Sequence, residues 1–335
     1  MSSESGWTAA ESPAPLPGGY DLRPLSTGEV LDRTFQLYRS RFVLFASLAA
    51  LPAVVQFAGG AVQVLTMRTE QVVRNGRTIT VAAHPLLPAI ITLVTTLIFF
   101  MVYGITQAAT TWAVAEIYLG KMASVRTAWR TAMMSWFRYI RVVLRQYWSI
   151  LWPAGLAFTL LLVPAIAIPG KGFKVAMMIV AGVLLAGCFF YAVYAAIRVS
   201  LAVPAAVIES LKANAAVRRS RALLPERKFR IFLMFLLLMA ISMVIAVVIS
   251  PLQFLTVLSH GIERLVLQIL DLTGTFLSGL LVGPIGAIAL CLFYFDERVR
   301  HEGFDIEFLM RRAGGGLPAN PEQPAVEGNA SPEEI

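Results

Sequence analysis

Six stretches of this sequence, about 42–67, 85–118, 147–168, 175–208, 231–258 and 272–295, are apolar, almost free of charge and long enough to cross a bilayer as helices. A hydrocarbon core about 30 Å thick requires about 20 such residues, rising about 1.5 Å each. Inside it every backbone polar group has to be paired within the protein, which a helix does by itself. The expected fold is therefore an all-α integral membrane protein with six transmembrane helices. With 57% hydrophobic and only 14% charged residues, the chain lies far from soluble domains, in which about a quarter of residues are charged.

The charges that do occur are segregated. Glu209 to Arg230 carries seven of the 28 basic residues, namely Lys212, Arg218, Arg219, Arg221, Arg227, Lys228 and Arg230. A second basic segment holds Lys121, Arg126, Arg130, Arg138, Arg141 and Arg145. Threading six spans through the chain puts 21 Lys and Arg on the side of the termini and 6 on the other, with Arg198 left in an apolar run. Basic residues beside spans resist translocation, so both termini and the basic segments are expected in the cytoplasm of a cell's inner (plasma) membrane. The net charge of +8 then needs no nucleic acid; anionic phospholipid headgroups are its natural counter-charge. No basic-then-apolar leader opens the sequence, so the first span is expected to act as the insertion signal.

The basic segments read as amphipathic helices in the membrane interface. Ser26-Thr27-Gly28-Glu29 has capping-box spacing, which predicts a helix start in which each side chain pairs with the other's backbone amide. Val30, Leu31, Thr34, Phe35 and Tyr38 then form an apolar stripe. Asn214 is a second expected cap. Three times a basic amphipathic segment precedes a pair of spans (22–118, 119–208, 209–295), a pattern that suggests three helix-plus-hairpin repeats. Asn75-Gly76, between TEQVV and TITV, signals a β-hairpin turn. Gly59-Gly60 and the prolines at 52, 153, 164, 204, 251 and 284 mark bends. Ile262, Leu265, Val266, Ile269 and Leu270 predict a further interfacial helix on the far side, before the last span. The tails 1–21 and 313–335, polar and rich in Pro and Gly, read as disordered and cytoplasmic.

LRPLSTGEVLDRTFQLYRSRF (22–42), RVSLAVPAAVIES (198–210) and YFDERVRHEGFDIE (294–307) resemble the glycerophosphoryl diester phosphodiesterase membrane domain family, bacterial six-span membrane proteins. The resemblance covers about residues 22–312. In the members that give the family its name, the membrane unit is fused to a phosphodiesterase domain that needs a His-Arg-Gly motif and acidic metal ligands. Here His84, His260 and His301 are not followed by Arg-Gly, so the resemblance implies the membrane unit and carries over no activity.

No catalytic, metal or cofactor constellation is legible, and Cys188 and Cys291 both fall inside apolar runs. Arg198 reads either as a functional intramembrane charge or as one that snorkels to the phosphate level beside Tyr191 and Tyr194. Glu116 and Glu209, at span ends, are candidates to pair with Arg126, Arg198 or Arg218. Arg218, Arg219 and Arg221 are candidate lipid-phosphate anchors. Gly279 and Gly283 form a GxxxG helix-packing motif, and the run from Asp296 to Glu302 reads either as a solvated helix end or as a docking site. The expected role is that of a non-enzymatic membrane protein that organises lipid, or another membrane or cytoplasmic protein, through its basic interfacial helices. A transporter or channel for a small or lipid-derived solute is the alternative.

Overall fold

The computed structural model describes residues 24–66, 69–74, 77–82, 86–167, 171–224, 228–259 and 261–303. The expected disordered tails and the Asn75-Gly76 turn lie outside these residues. The described chain is helical apart from one two-stranded hairpin. Its helices are α1 (Thr27–Ser40), α2 (Phe42–Thr66), α3 (Leu86–Tyr118), α4 (Val125–Met134), α5 (Trp136–Ala167), α6 (Lys171–Val199), α7 (Ala202–Ile208), α8 (Ala213–Leu223), α9 (Lys228–Leu258) and α10 (Gly261–Glu302). Between α2 and α3, β1 (Thr69–Arg74) pairs antiparallel with β2 (Arg77–Ala82), in register from Thr69↔Ala82 to Arg74↔Arg77. The predicted alternation holds: one or two short helices precede each pair of long ones.

Among the described residues five helical segments, Phe42–Thr66, Leu86–Tyr118, Ala176–Ile208, Phe229–Thr256 and Gly261–Glu302, are long and apolar enough to cross a membrane. The expected third span lies within α5, whose first ten residues carry Arg138, Arg141 and Arg145. Several boundaries differ from expectation. The basic segment before the third span is not a separate interfacial helix throughout: α4 ends at Met134, and the rest is the first turns of α5 itself. The interfacial helix expected on the far side is continuous with the last span, forming the 42-residue α10. At about 1.5 Å per residue α10 is about 63 Å long, twice the hydrocarbon thickness, so its ends project from the bilayer.

The tightly packed core sits at one end of the bundle, which we call the terminal face because α1 and the last turns of α10 meet there. Its fully buried side chains include Leu25, Leu37, Phe45, Leu48, Leu201, Leu224, Ile288, Phe293, Tyr294 and Phe295. Along the spans, by contrast, large apolar side chains such as Leu93, Leu97, Val183, Leu185, Val244 and Val248 are exposed on the protein surface. Lipid tails are as apolar as these side chains, so burying them against protein gains little there; at the terminal face water restores the hydrophobic driving force.

α2 runs unbroken through Gly59 and Gly60. At both, a neighbouring helix packs where a side chain would stand. A Cβ on Gly59 would lie 2.2 Å from Thr95 Cγ2 and 2.9 Å from Thr95 Cβ on α3, and one on Gly60 would lie 2.2 Å from Leu272 Cδ2 on α10. The GxxxG pair is less crowded: a Cβ on Gly279 meets Ala53 Cβ at 3.7 Å and one on Gly283 meets Ala49 Cβ at 4.0 Å, both ordinary contacts. Gly59→Ala is therefore expected to cost about 1–3 kcal/mol through overpacking, and Gly279→Ala much less. Unfolding midpoints of the two variants in mild detergent check this ordering.

Candidate functional site

The polar chemistry of the described residues concentrates at the terminal face. Its first part is a knot that ties the segment before α1 to α9 and α10. Asp296, whose side chain is fully buried, accepts the Leu25 amide at 2.7 Å, Arg230 Nη1 at 2.9 Å and Arg300 Nε at 3.0 Å. Arg230 also donates to the Leu25 carbonyl at 2.8 Å and to Thr27 Oγ1 at 3.1 Å, and Arg300 Nη2 donates to the same carbonyl. The neighbouring Glu297, equally buried, lies 3.7 Å from Arg230 Nη1 and 3.3 Å from His301 Nε2. Just beyond, the expected capping box closes α1, with Glu29 N donating to Ser26 Oγ at 3.2 Å and Ser26 N to Glu29 Oε2 at 2.6 Å.

A second network joins α7, α8 and α10. Arg219 grips Glu209 through Nε (3.0 Å to each oxygen) and Nη2 (2.9 Å), and its Nη2 also pairs with Glu302. Tyr294 donates its hydroxyl to Glu209. Arg298 closes the ring, 3.0 Å from Glu302 Oε2 and 3.7 Å from Glu209 Oε1. Burial alone would lower the Arg219 pKa, but the hydrogen bonds and charges of Glu209 and Glu302 outweigh it and push it above the usual arginine range. The guanidinium stays charged and committed to the fold.

This geometry corrects several pairings expected from sequence. Glu209 binds Arg219, Tyr294 and Arg298, not Arg198 or Arg218. Glu116 pairs with Lys121 at 3.3 Å, not with Arg126. Arg219 faces inward, whereas Arg218 and Arg221 on the same helix are exposed, so only two of the three proposed phosphate anchors are free to meet lipid. In the Asp296–Glu302 run Asp296, Glu297 and Val299 are packed, and only His301 and Glu302 at its end are exposed. The cap on α8 is Lys212, with no side-chain hydrogen bond, while Asn214 accepts from Arg145 Nε at 3.2 Å.

Arg198 stands in the last turn of α6, next to the helix end at Val199. It donates to Tyr194 Oη at 3.1 Å and lies over the same ring, 5.5 Å from its centre. A cation there complements the helix dipole. The expected fourth span breaks just after it. Pro204 has no amide proton, and its ring crowds the carbonyl of Ser200, four residues back. At the break between α6 and α7, two backbone groups are taken up by Ser220 of α8, a buried residue that no sequence motif marks: its hydroxyl donates to the Arg198 carbonyl at 2.9 Å and accepts the Leu201 amide at 3.1 Å. Ser220→Ala leaves both without a partner, and a loss of about 1–3 kcal/mol is expected in thermal unfolding.

What remains exposed on this face is a mixed apolar and basic surface on the loop before α4, on α4 and on the start of α5. Met122 is 91% exposed, and Met133, Met134, Trp136 and Phe137 are also open. Arg126 and Arg130 stand exposed among them, and the Arg141 guanidinium lies 4.5 Å from the centre of the Phe137 ring. Apolar side chains beside cations form the surface of an interfacial helix, one part for the acyl boundary and one for the phosphates.

Gly279 and Gly283 lie where α10 packs on α2, and they also line a cavity of about 340 Å³ among α2, α3 and α10. Among the described residues no group of three or more His, Cys, Asp or Glu is placed to hold a metal ion.

Fold and site together define an all-helical, multi-pass integral membrane protein with a charged, closely packed terminal face. No protein-family model, curated protein or solved structure matches the chain.

Proposed function

We propose that this chain is a non-enzymatic inner-membrane protein of bacterial type, with both termini in the cytoplasm, that gathers anionic phospholipid around its terminal face; its kinship to the membrane unit of the glycerophosphoryl diester phosphodiesterase membrane domain family belongs to the same proposal. The observation that carries the reading is the interleaving of exposed Met122, Met133, Met134, Trp136 and Phe137 with Arg126, Arg130 and Arg141. Arg218 and Arg221 on α8 add to the positive surface. Each cation close to an anionic surface contributes about 1 kcal/mol, an attraction that decays within a Debye length. The test is the enrichment of fluorescent phosphatidylglycerol around protein reconstituted in phosphatidylcholine bilayers, compared between the native chain and an R126E/R130E/R218E/R221E variant. Equal, salt-insensitive enrichment for both would sink the proposal. The transport alternative has its own motive in the cavity between α2, α3 and α10, and flux of a lipid-derived solute through proteoliposomes would favour it.

A further inference from the structure

Hydroxyls on the spans commonly return a hydrogen bond to their own helix. Ser47, Thr66, Thr92 and Ser242 each donate to the carbonyl four residues back. Thr106 of α3 does not. It is 7% exposed, and its hydroxyl has no hydrogen-bond partner. A polar group left so in an apolar setting costs about 1–3 kcal/mol, and lipid offers it no water. Thr106 lines the 340 Å³ cavity already described, whose size falls at the lower end of small-molecule sites, about 300–1,000 Å³.

The walls restrict what can occupy it. Small and apolar residues of α2 and α10, Ala49, Ala53, Gly279 and Ala287 among them, leave the space, and Gln107 and Ser278 add uncharged polar groups. No Asp, Glu, Lys or Arg lines it, so an ionised headgroup would lose its hydration there without a counter-charge. Through Gln56 and Thr275, which line both, the cavity adjoins a second of about 230 Å³ that reaches Gln63, Thr92 and Asp271. At its far rim Gln63 donates to Thr92 at 2.9 Å and Gln253 to Asp271 at 3.2 Å. The polar side chains thus continue from Thr106 toward the β-hairpin end, while Leu48, Ile288 and Leu292 fill the core on the terminal side.

We propose that this cavity is a binding site for a neutral lipid, an apolar chain bearing uncharged ester or hydroxyl oxygens, with the Thr106 hydroxyl donating to one of them. The site is separate from the headgroup surface of α4, α5 and α8, and its test does not touch those residues.

The full chain, purified and placed in phosphatidylcholine nanodiscs, is irradiated with a diacylglycerol carrying a diazirine in one acyl chain. Phosphatidic acid with the same chain serves as the charged control. Labelling is expected in the segment from Phe99 to Thr110, from the diacylglycerol in preference to the phosphatidic acid, and displaced by unlabelled diacylglycerol. Thr106→Val keeps the shape and removes one hydrogen bond, so labelling should fall about three- to tenfold. Because it also removes an orphaned hydroxyl, its unfolding midpoint without added lipid should stay level or rise, which separates lost binding from lost folding. Ala287→Leu fills the space from α10 and should lower labelling by an independent route. Equal labelling by the two probes, or labelling unchanged in both variants, would mean boundary lipid only and overturn the proposal.

Discussion

Asp296→Ala is expected to destabilise the protein by about 3–5 kcal/mol, the range for removing one partner of a buried, hydrogen-bonded ion pair. The size follows from what the carboxylate holds. It is fully buried and takes bonds from the Leu25 amide, Arg230 and Arg300, so its loss leaves two guanidinium groups and a backbone amide facing a void. Arg230 and Arg300 both reach the Leu25 carbonyl as well, so the start of α1 should loosen with them. Limited proteolysis should cut near Leu25 in the variant and spare it in the native chain, while thermal unfolding in detergent gives the magnitude. Lys121→Ala is the contrasting control. Its pair with Glu116 has the lysine 62% exposed, and such pairs contribute about 0–1 kcal/mol. If Asp296→Ala cost no more than Lys121→Ala, the knot would not be the clasp that its geometry describes.

The second large effect is on lipid. Reversing Arg126, Arg130, Arg218 and Arg221 removes four exposed cations, each contributing about 1 kcal/mol near an anionic surface, and puts four like charges in their place. Because several lipids share these cations, the enrichment of any one lipid should fall by at least about fivefold, the equivalent of one lost cation. The native enrichment should also shrink with added salt, since the charges face water and are screened over about 8–10 Å at physiological ionic strength. Arg219 is left out of this variant. Its contacts with Glu209 and Glu302 make it part of the fold, so reversing it would confound lipid binding with unfolding.

Periodicity and local chemistry made much of this architecture legible. The apolar runs, the capping box at Ser26 and Glu29 and the paired strands depend on neighbours within a few residues; the capping box and the strand pair appear where the residues called for them, and five of the six runs fall in helices long and apolar enough to cross a membrane. The misses share a different origin. Gly59-Gly60 reads locally as a bend; what the sequence does not show is that the missing side chains let α2 approach Thr95 and Leu272, residues far along the chain. Glu209 and Arg198 seemed natural partners by sequence distance, but the break in front of Pro204 turns the chain, and Arg219 and Tyr294 arrive first. Nothing local marks Ser220 or Thr106, because a serine or threonine inside a helix ordinarily bonds its own backbone.

By itself, then, the sequence determined that this chain is a helical membrane protein with basic segments gathered at the ends of its spans, because the cost of burying charge and unpaired backbone in lipid acts on each segment separately. Only the tertiary structure decided which charges lock the fold and which remain exposed. Arg218, Arg219 and Arg221 look alike in one dimension, yet α8 turns Arg219 toward carboxylates from α7 and α10 and leaves the other two exposed. The cavity at Thr106 was decided in the same way, since it exists only where α2, α3 and α10 meet.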